Sequence, residues 1–294
     1  MDYLPTFLYS QFLITPPKPT KDCTGKTVIV TGANIGLGKE ASRHFVNLNC
    51  EKLILACRST EKGEAAKTDI ESTTGRKGVV EVWQLDLESY DSVKEFAKRA
   101  QSLKRVDVLL ENAGVATSEY KFVGGNESTI TVNVVSTFLL ALLMLPKLQE
   151  TGRKFNITPN LTIVSSEVHN FTPVILTCRE LARLHPTSQL HVTLNFVNPG
   201  WCHSGLMREL SGNHFISLIK LIMCRSTEVG SRTLVDGALR GEETHGSYLS
   251  NSRVTKCSGL VEGPEGSRLQ RRVWGELREV LEGVEAGVTG NLGA

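Results

Sequence analysis

The sequence has little net charge and no paired cysteine motif. Its 294 residues carry a formal net charge of +2, so neither nucleic acid nor an anionic membrane surface is expected as a partner. The seven cysteines are an odd number and include no Cys-x-x-Cys, which argues against a disulfide framework and against a zinc site. We therefore predict free thiols in a reducing compartment, and hence a cytoplasmic protein.

The N-terminus lacks the features of a membrane span and of a secretion signal. Residues 1–20 are rich in aromatic and aliphatic side chains, but Pro5 and the pair Pro16-Pro17 interrupt them. A span needs about 20 apolar residues, and a secretion signal needs a basic start and a small-residue cleavage site. No transmembrane segment is predicted here, and two interpretations stay open. Residues 1–20 either pack on the domain or contact a membrane or partner loosely.

Tyrosine and lysine are missing from one long stretch in the second half of the chain. No tyrosine lies between Tyr120 and Tyr248, and no lysine lies between Lys154 and Lys220. The residues between Lys154 and Lys220 therefore offer neither a phenol nor an ammonium group for acid–base chemistry.

The composition is otherwise that of an ordinary globular protein, with 40% hydrophobic and 22% charged residues. A chain of this length can bury a sizeable single core. We expect an N-terminal extension at residues 1–24, a single cofactor-binding and catalytic domain at residues 25–282, and a flexible tail at residues 283–294.

A glycine-rich turn opens the predicted domain. Residues 27–30 form a short apolar, β-branched run that is typical of a buried strand, and apolar residues recur at helical spacing after Gly38. Glycines in the turn between them let the backbone approach a phosphate, and the start of the helix offers unpaired N–H groups. An ordinary glycine-rich turn is the alternative interpretation.

The spacing of this turn, Thr-Gly-x-x-x-Gly-x-Gly, is looser at its front than that of ordinary dinucleotide folds. It resembles the turn of the short-chain dehydrogenase/reductase family. The resemblance implies an α/β fold of the Rossmann type, with a doubly wound, mostly parallel sheet and helices on both faces. It also implies that the cofactor is bound by Gly32, Gly36, Leu37 and Gly38.

The next two strands bear on which cofactor is bound. Arg58 directly follows the predicted strand at residues 52–57, and no acidic residue lies nearby to take the ribose hydroxyls of NAD. Because a guanidinium can bind a 2′-phosphate through two hydrogen bonds, we predict NADP(H), with Lys62 adding positive charge. A solvated surface arginine is the alternative. Asp86-Leu87, at the end of the third strand predicted at residues 79–87, matches the pair that contacts adenine in the family.

Two further cofactor motifs follow the resemblance. The family's Asn-Asn-Ala-Gly appears here as Glu111-Asn-Ala-Gly, so Asn112 and Gly114 match and Glu111 departs. Because this motif acts mainly through its backbone, the departure is expected to be mild. Near the sixth strand, Pro199 and Gly200 begin a Pro-Gly-x-x-x-Ser that ends at Ser204, and the family binds the nicotinamide carboxamide there.

Two catalytic residues of the family have counterparts. Ser166, the second of two serines after a predicted strand, would hydrogen-bond the substrate oxygen. Asn133 lies in an apolar helical stretch, where a buried amide has to be hydrogen-bonded. The family uses this Asn to hold a water of its proton relay, and a structural or capping Asn is the alternative interpretation.

The family's Tyr-x-x-x-Lys, which should follow Ser166, is absent. In the family the tyrosine exchanges the proton, and the lysine lowers the pKa of its phenol. Residues 174–184 resemble the second half of the family's helix, so we predict a deletion that leaves a shortened crossover helix. A crossover needs about a dozen residues, which the chain still provides. The nearby candidates for replacement chemistry are Glu167, His169 and Cys178, of which His169 has a suitable ordinary pKa. Because related family members that keep their tyrosine also have a His at this place, a structural role for His169 is the alternative.

Hydrophobic periodicity predicts the remaining elements. The ones that matter below are a helix at residues 130–145 that ends near Pro146, a strand at 247–254 and a short helix at 273–281.

The resemblance covers residues from about 25 to about 281 and is closest to the retinol-dehydrogenase-like branch, which includes fungal members of secondary metabolism. It implies an NADP-dependent oxidoreductase that interconverts an alcohol and a ketone or aldehyde on a mostly apolar small molecule. The competing hypothesis is a cofactor-binding protein with impaired catalysis, or a truncated product, because the Tyr/Lys pair is absent.

Overall fold

The structure is a computed structural model, and it describes residues 3–117, 119–166, 173–203 and 224–293. Short apolar, β-branched runs form the strands, and the amphipathic stretches between them form helices. The strands are β1 Thr27–Thr31, β2 Lys52–Cys57, β3 Val80–Gln84, β4 Val108–Glu111, β5 Phe122–Val123, β6 Asn126–Glu127, β7 Asn160–Val164, β8 Thr193–Asn198, β9 Tyr248–Ser250 and β10 Arg253–Thr255.

The described helices lie mainly between the strands, as crossover connections. They are α1 Tyr3–Leu13, α2 Gly36–Asn47, α3 Thr60–Thr74, α4 Tyr90–Ala100, α5 Ser128–Ile130, α6 Thr137–Phe155, α7 Pro173–Leu184, α8 Thr187–Leu190, α9 Thr227–Ala238, α10 Gly259–Glu262 and α11 Pro264–Val284. A π-helical segment, Thr131–Ser136, joins α5 to α6, and 3₁₀ turns occur at Glu242–Thr244 and Val288–Leu292.

Eight strands form one sheet in the order β10-β9-β8-β7-β4-β1-β2-β3, and every pair is parallel except β9 with β10. The chain runs outward from β1 to β3 on one side and from β4 to β10 on the other. The strand order therefore reverses between β1 and β4, and in open α/β sheets the carboxyl ends of the strands border a crevice at such a reversal. The predicted doubly wound, mostly parallel fold is confirmed.

Helices cover both faces of this sheet. One core joins α4, α6, α7 and α11 to one face through residues such as Leu109, Phe138 and Cys178. The other joins α2, α3 and α9 to the opposite face through residues such as Leu110 and Phe45. Adjacent residues of β4 thus point into different cores, which is the alternation expected of a strand that is buried on both faces.

The predicted end of the long helix at Pro146 is wrong, because α6 continues to Phe155. A proline inside a helix frees carbonyl groups one turn before it. Here Asn291 Nδ2 donates to the Leu142 oxygen at 3.1 Å, and Gln101 Nε2 donates to the Leu143 oxygen at 3.3 Å. The helical span from Ser128 to Phe155 has the length and hydropathy of a membrane span, but 78% of its most apolar window is buried, so it forms the core.

Three predictions for the C-terminal part also need correction. The strand expected at residues 247–254 is the hairpin of β9 and β10, which turns at Asn251 and Ser252 with positive φ values of 52° and 58°. The terminal helix is longer than expected. The tail after Gly283 is ordered, since its 3₁₀ turn buries Val288 and Leu292 against the core.

Candidate cofactor and active site

The first part of the site is the turn between β1 and α2. Gly32 and Gly36 have positive φ values of 65° and 64°, a conformation that side chains disfavour. The helix begins at Gly36, and Ile35, its N-cap residue, makes no side-chain capping bond within the described structure. The N–H groups of the first helical turn are thus left for an anion at the crevice.

Thr31 and Asn112 fasten this turn to the end of β4. Thr31 Oγ1 accepts from the backbone N–H groups of Asn112 at 3.0 Å and Ala113 at 2.9 Å. Asn112 Nδ2 donates back to the Thr31 carbonyl at 3.0 Å and more weakly to the Gly32 carbonyl at 3.4 Å. The sequence predicted Asn112 as a site residue, but it gave Thr31 no role, although Thr31 precedes the first glycine.

Gly38→Ala tests how closely this turn is packed. A Cβ at Gly38 would lie 2.5 Å from Asn112 Nδ2 and 2.7 Å from the Gly32 carbonyl oxygen. Because backbone cannot yield there as a flexible side chain would, we expect a loss of about 1–3 kcal/mol in the free energy of unfolding and at least a roughly tenfold loss of nucleotide affinity. Urea unfolding and fluorescence titration measure the two effects. Gly75→Ala, at a positive φ away from the site, is the control, and equal nucleotide losses in both variants would contradict the prediction.

The ends of β2 and β3 lie on the other side of β1, where the resemblance implies that the adenosine is bound. Arg58 directly follows β2, and its side chain is 68% exposed. Its nearest acid, Glu88, has Oε2 at 3.9 Å from Arg58 Nη1, and Glu88 already pairs with Lys121 Nζ at 2.6 Å. Such a long, exposed pair contributes little, so Arg58 is available to an anionic ligand. Lys62 is exposed on the first turn of α3.

Asp86 lies two residues beyond β3, because the strand ends at Gln84 and not at Asp86 as the sequence predicted. Its Oδ1 accepts from the Glu88 N–H at 3.0 Å, and its own N–H donates to Ser92 Oγ at 3.0 Å. Its carboxylate therefore shapes the loop at the edge of the crevice.

The turn after β8 lies at the opposite end of the crevice. Gly200 has a φ of +76°, and its N–H donates to Asn198 Oδ1 at 3.0 Å. The glycine turn between β1 and α2 is close by, since a Cβ at Gly230 of α9 would lie 2.9 Å from Leu37 Cδ2 and 3.5 Å from the Pro199 carbonyl oxygen. The structure thus brings the two motifs together across α9.

Asn133 lies inside the π-helical segment. Such one-turn π-bulges are frequent at functional sites. Its Oδ1 accepts from the Val115 N–H at 2.8 Å, and its Nδ2 donates to the Val115 carbonyl at 2.8 Å. Gly114 is packed against it, because a Cβ there would lie 3.2 Å from Asn133 Oδ1. The amide of Asn133 is therefore used to hold the loop after β4.

Ser166 follows β7 and is half-buried at the same edge of the sheet. Ser165, beside it, is tied to β8 through its N–H, which donates to the Val197 carbonyl at 2.7 Å. Ser204, Glu167 and His169 lie outside the described residues. Cys178 is fully buried, and burial raises its pKa well above the ordinary value, with the nearby Glu111 carboxyl adding to the effect. This thiol keeps its proton at neutral pH and is unsuited to exchange it.

The chain does contain one Tyr-x-x-x-Lys spacing, at Tyr90 and Lys94 of α4. The Tyr90 hydroxyl donates to the Gly124 carbonyl at 2.8 Å. Lys94 Nζ donates to the Val284 carbonyl and pairs with Glu285, both at 3.1 Å. These contacts turn the two groups toward the hairpin of β5 and β6 and toward the C-terminal region, so the spacing has a structural role here.

A cleft of about 410 Å³ lies elsewhere, between Leu184 at the end of α7, Trp274 of α11 and the C-terminal 3₁₀ turn. Because α7 ends where the chain returns toward the start of β8, this cleft lies at the amino-end edge of the sheet, away from the candidate site. Within the described residues, no group of three or more His, Cys, Asp or Glu side chains could hold a metal ion.

Known proteins resemble this chain in sequence and in fold. A sequence model of the short chain dehydrogenase family matches residues 26–213. The chain is 44% identical to the short chain dehydrogenase/reductase dmxR8 of a Cryptosporiopsis species, over 97% of this chain and 99% of that protein. It is 38% identical to the short-chain dehydrogenase anuD of Penicillium roqueforti, over 96% of this chain and 84% of that protein.

Among solved structures, the Pseudomonas aeruginosa RhlG/NADP active-site complex superposes with a TM-score of 0.63 at 18% identity, covering 78% of this chain and 95% of that one, and so shares the fold. The dmxR8 alignment spans 322 positions, more than the 294 residues of this chain, so that protein has residues at positions where this chain has none. The extent of the sequence matches decides the family. The chain belongs to the short-chain dehydrogenase/reductase family of oxidoreductases.

Proposed function

We propose that the gene encodes an NADP(H)-dependent oxidoreductase that interconverts an alcohol and a ketone or aldehyde on a mostly apolar small molecule. The observation that carries the proposal is the set of residues at the carboxyl ends of the parallel strands: the glycine turn after β1, Arg58 after β2, Asn112 after β4 and the Pro199-Gly200 turn after β8. The fungal origin of the relatives dmxR8 and anuD supports the fungal branch of the resemblance, and with it a role in secondary metabolism.

The residues fit a phosphorylated dinucleotide along the whole crevice. The open N-terminus of α2 suits the pyrophosphate, Arg58 with Lys62 suits a 2′-phosphate, and Asp86 borders the adenine position. The Pro199-Gly200 turn and Ser204 would hold the nicotinamide carboxamide. That the P. aeruginosa RhlG structure is an NADP complex agrees with this assignment. When bound, the cofactor supplies or accepts a hydride.

The protein's own catalytic contribution is incomplete. Ser166 would donate a hydrogen bond that orients and polarises the substrate oxygen, and Asn133 holds the loop after β4 in place. Between Lys154 and Lys220 the sequence has no tyrosine to exchange the proton and no lysine to hold the ribose. This observation favours the second candidate, a cofactor-binding protein that catalyses poorly as the chain stands. The surplus length of the dmxR8 alignment fits a deletion.

Arg58→Ala tests the choice of cofactor. We expect the variant to bind NADPH about 10- to 100-fold more weakly, because a charge-assisted hydrogen bond contributes about 1.5–3 kcal/mol, and to bind NADH as before. Nucleotide fluorescence titrations of both cofactors against wild type and variant measure the change. Arg271→Ala, at an exposed position of α11, is the matched control. Equal NADPH and NADH affinities in the wild type would refute NADP preference.

Location and organisation follow as part of the same proposal. All seven cysteines lie in the described ranges and none forms a disulfide, which fits the cytoplasm. Burial raises the pKa of Cys50 and of Cys202 to about 12, so both thiols are protonated at neutral pH. Residues 25–282 are proposed as the cofactor-binding and catalytic unit, with a small molecule as its partner.

A further inference from the structure

Helix α1 lies against the turn that follows β8. Gln11 Nε2 donates to the Trp201 carbonyl at 2.7 Å, and the Trp201 N–H donates to Gln11 Oε1 at 3.2 Å. One side-chain amide thus pairs with both backbone groups of a single residue, much as a neighbouring strand would. Gln11 is only 7% exposed, so if its side chain is removed, water cannot easily replace its hydrogen bonds to the Trp201 backbone.

Arg225 connects the end of α1 to the same turn. Its guanidinium donates to the carbonyl groups of Ser10 and Ile14, which lie at the end of the helix where carbonyl groups lack helical partners. It also donates to Asn251 Oδ1 at 2.6 Å, and Asn251 Nδ2 donates to Ser10 Oγ at 2.7 Å. Arg225 is 8% exposed, so this is a buried polar network and not a surface contact.

Backbone hydrogen bonds also join Arg225 to the residues that follow the Pro199-Gly200 turn. The Arg225 N–H donates to the Trp201 carbonyl at 2.8 Å, and the His203 N–H donates to the Arg225 carbonyl at 2.9 Å. A Cβ at Gly200 would lie 3.0 Å from Arg225 Nη1 and 3.2 Å from Gln11 Oε1. Both side chains therefore pack directly against the Pro199-Gly200 turn. A rotation of this turn would break the hydrogen bonds between Trp201 and Gln11 of α1.

We propose that α1 is a positioning element for the nicotinamide end of the cofactor site, and that Gln11 is the positioning residue that fixes the Pro199-Gly200 turn. The inference rests on the proposed function, in which that turn meets the nicotinamide. The N-terminal extension thus belongs to the cofactor site, although Gln11 and Trp201 lie 190 residues apart in sequence.

The first test uses the protein without cofactor, so that it does not depend on the proposed function. Amide hydrogen exchange is measured on peptides that cover residues 199–203 and 224–226. Gln11→Ala is expected to speed exchange in both peptides by about tenfold, whereas Leu13→Ala, on the same helix and 73% exposed, is expected to leave it unchanged. Unchanged exchange in Gln11→Ala overturns the inference. Gln11→Glu, which keeps the size and one acceptor but loses the donor, repeats the test if Gln11→Ala does not fold.

The second test separates positioning from general damage. NADPH is compared with adenosine 2′,5′-bisphosphate, a probe that carries the adenosine and the 2′-phosphate but no nicotinamide. Gln11→Ala is expected to weaken NADPH about 3- to 10-fold and to leave the probe unaffected. Equal weakening of both ligands, or of neither, overturns the positioning role. If the wild type binds neither ligand, the proposed function fails, and the exchange experiment still decides whether α1 holds the turn.

Discussion

A chain with a Tyr-x-x-x-Lys segment restored at the start of α7 is expected to reduce apolar ketones and aldehydes about 10²- to 10⁴-fold faster than the present chain. General acid–base catalysis accounts for this range. A lysine that holds the ribose would also fix the hydride geometry, where a displacement of about 1 Å costs roughly another 10². The assay follows NADPH oxidation with a panel of such substrates.

The position of the insert follows from Pro173. Proline is tolerated in the first turn of a helix but not in its interior, and Pro173 begins α7. The insert of about two turns therefore goes between Pro173 and Val174, so that the proline stays at the start of the lengthened helix. Inserts that differ by one residue in length are compared, because each added residue turns the helical face by about 100°.

The matched control is the same insert with phenylalanine and methionine in place of tyrosine and lysine. It adds the same helical length and similar apolar surface, and it lacks only the two chemical groups. The control is expected to be as slow as the present chain. If both inserts accelerate equally, the gain comes from packing. If the present chain already matches the Tyr/Lys insert, His169 becomes the proton donor to test, through His169→Ala.

Much of the fold was predictable because local and tertiary signals agreed. β2 was predicted with its observed bounds, and α7 to within one residue, since a short apolar run in β2 and helical spacing in α7 coincide with burial. The doubly wound, mostly parallel sheet followed from the resemblance. At the candidate site, the sequence motif predicted the glycine turn because Gly32 has a positive φ and Gly38 leaves no room for a Cβ.

The misses have tertiary causes. Pro146 signals a helix end by every local rule, but Asn291 and Gln101 supply partners for the carbonyl groups that it frees, and the helix continues. The same bond from Asn291 helps to order a tail that its glycines predict to fray. Thr31 and Gln11 were missed because their partners, Asn112 and Trp201, are distant in sequence and no local pattern marks the pairing.

Glu111→Gln is expected to stabilise the protein, in contrast to most substitutions of buried residues. Glu111 lies in β4 and is 4% exposed, and neither carboxyl oxygen has a hydrogen-bond partner within the described structure. The departure from the family's asparagine looked mild from the sequence, because only the backbone role was considered. The side chain, however, is a buried carboxyl group without a hydrogen-bond or charge partner in the described structure, and burying its charged form costs folding free energy.

The expected gain depends on pH in a defined direction. Burial raises the pKa of Glu111 well above its ordinary value. The folded protein therefore binds a proton that the unfolded chain releases, and stability falls as the pH rises from the ordinary carboxyl pKa towards the raised one. The loss is about 1.4 kcal/mol for each pH unit in that window. Glutamine is neutral throughout, so the variant lacks this loss and its advantage grows with pH.

Urea unfolding of wild type and Glu111→Gln at several pH values between 5 and 8 measures this effect. We expect near-equal stability at the acid end and an advantage that grows by about 1.4 kcal/mol per pH unit, up to about 4 kcal/mol at the alkaline end. Glu279→Gln, at an exposed position of α11, is the control and should show no such trend. If the difference in unfolding free energy between Glu111→Gln and wild type stays constant with pH, Glu111 has a hydrogen-bonding partner in solution. If the difference falls as the pH rises, the pKa of Glu111 is lowered in the folded protein and the prediction is wrong.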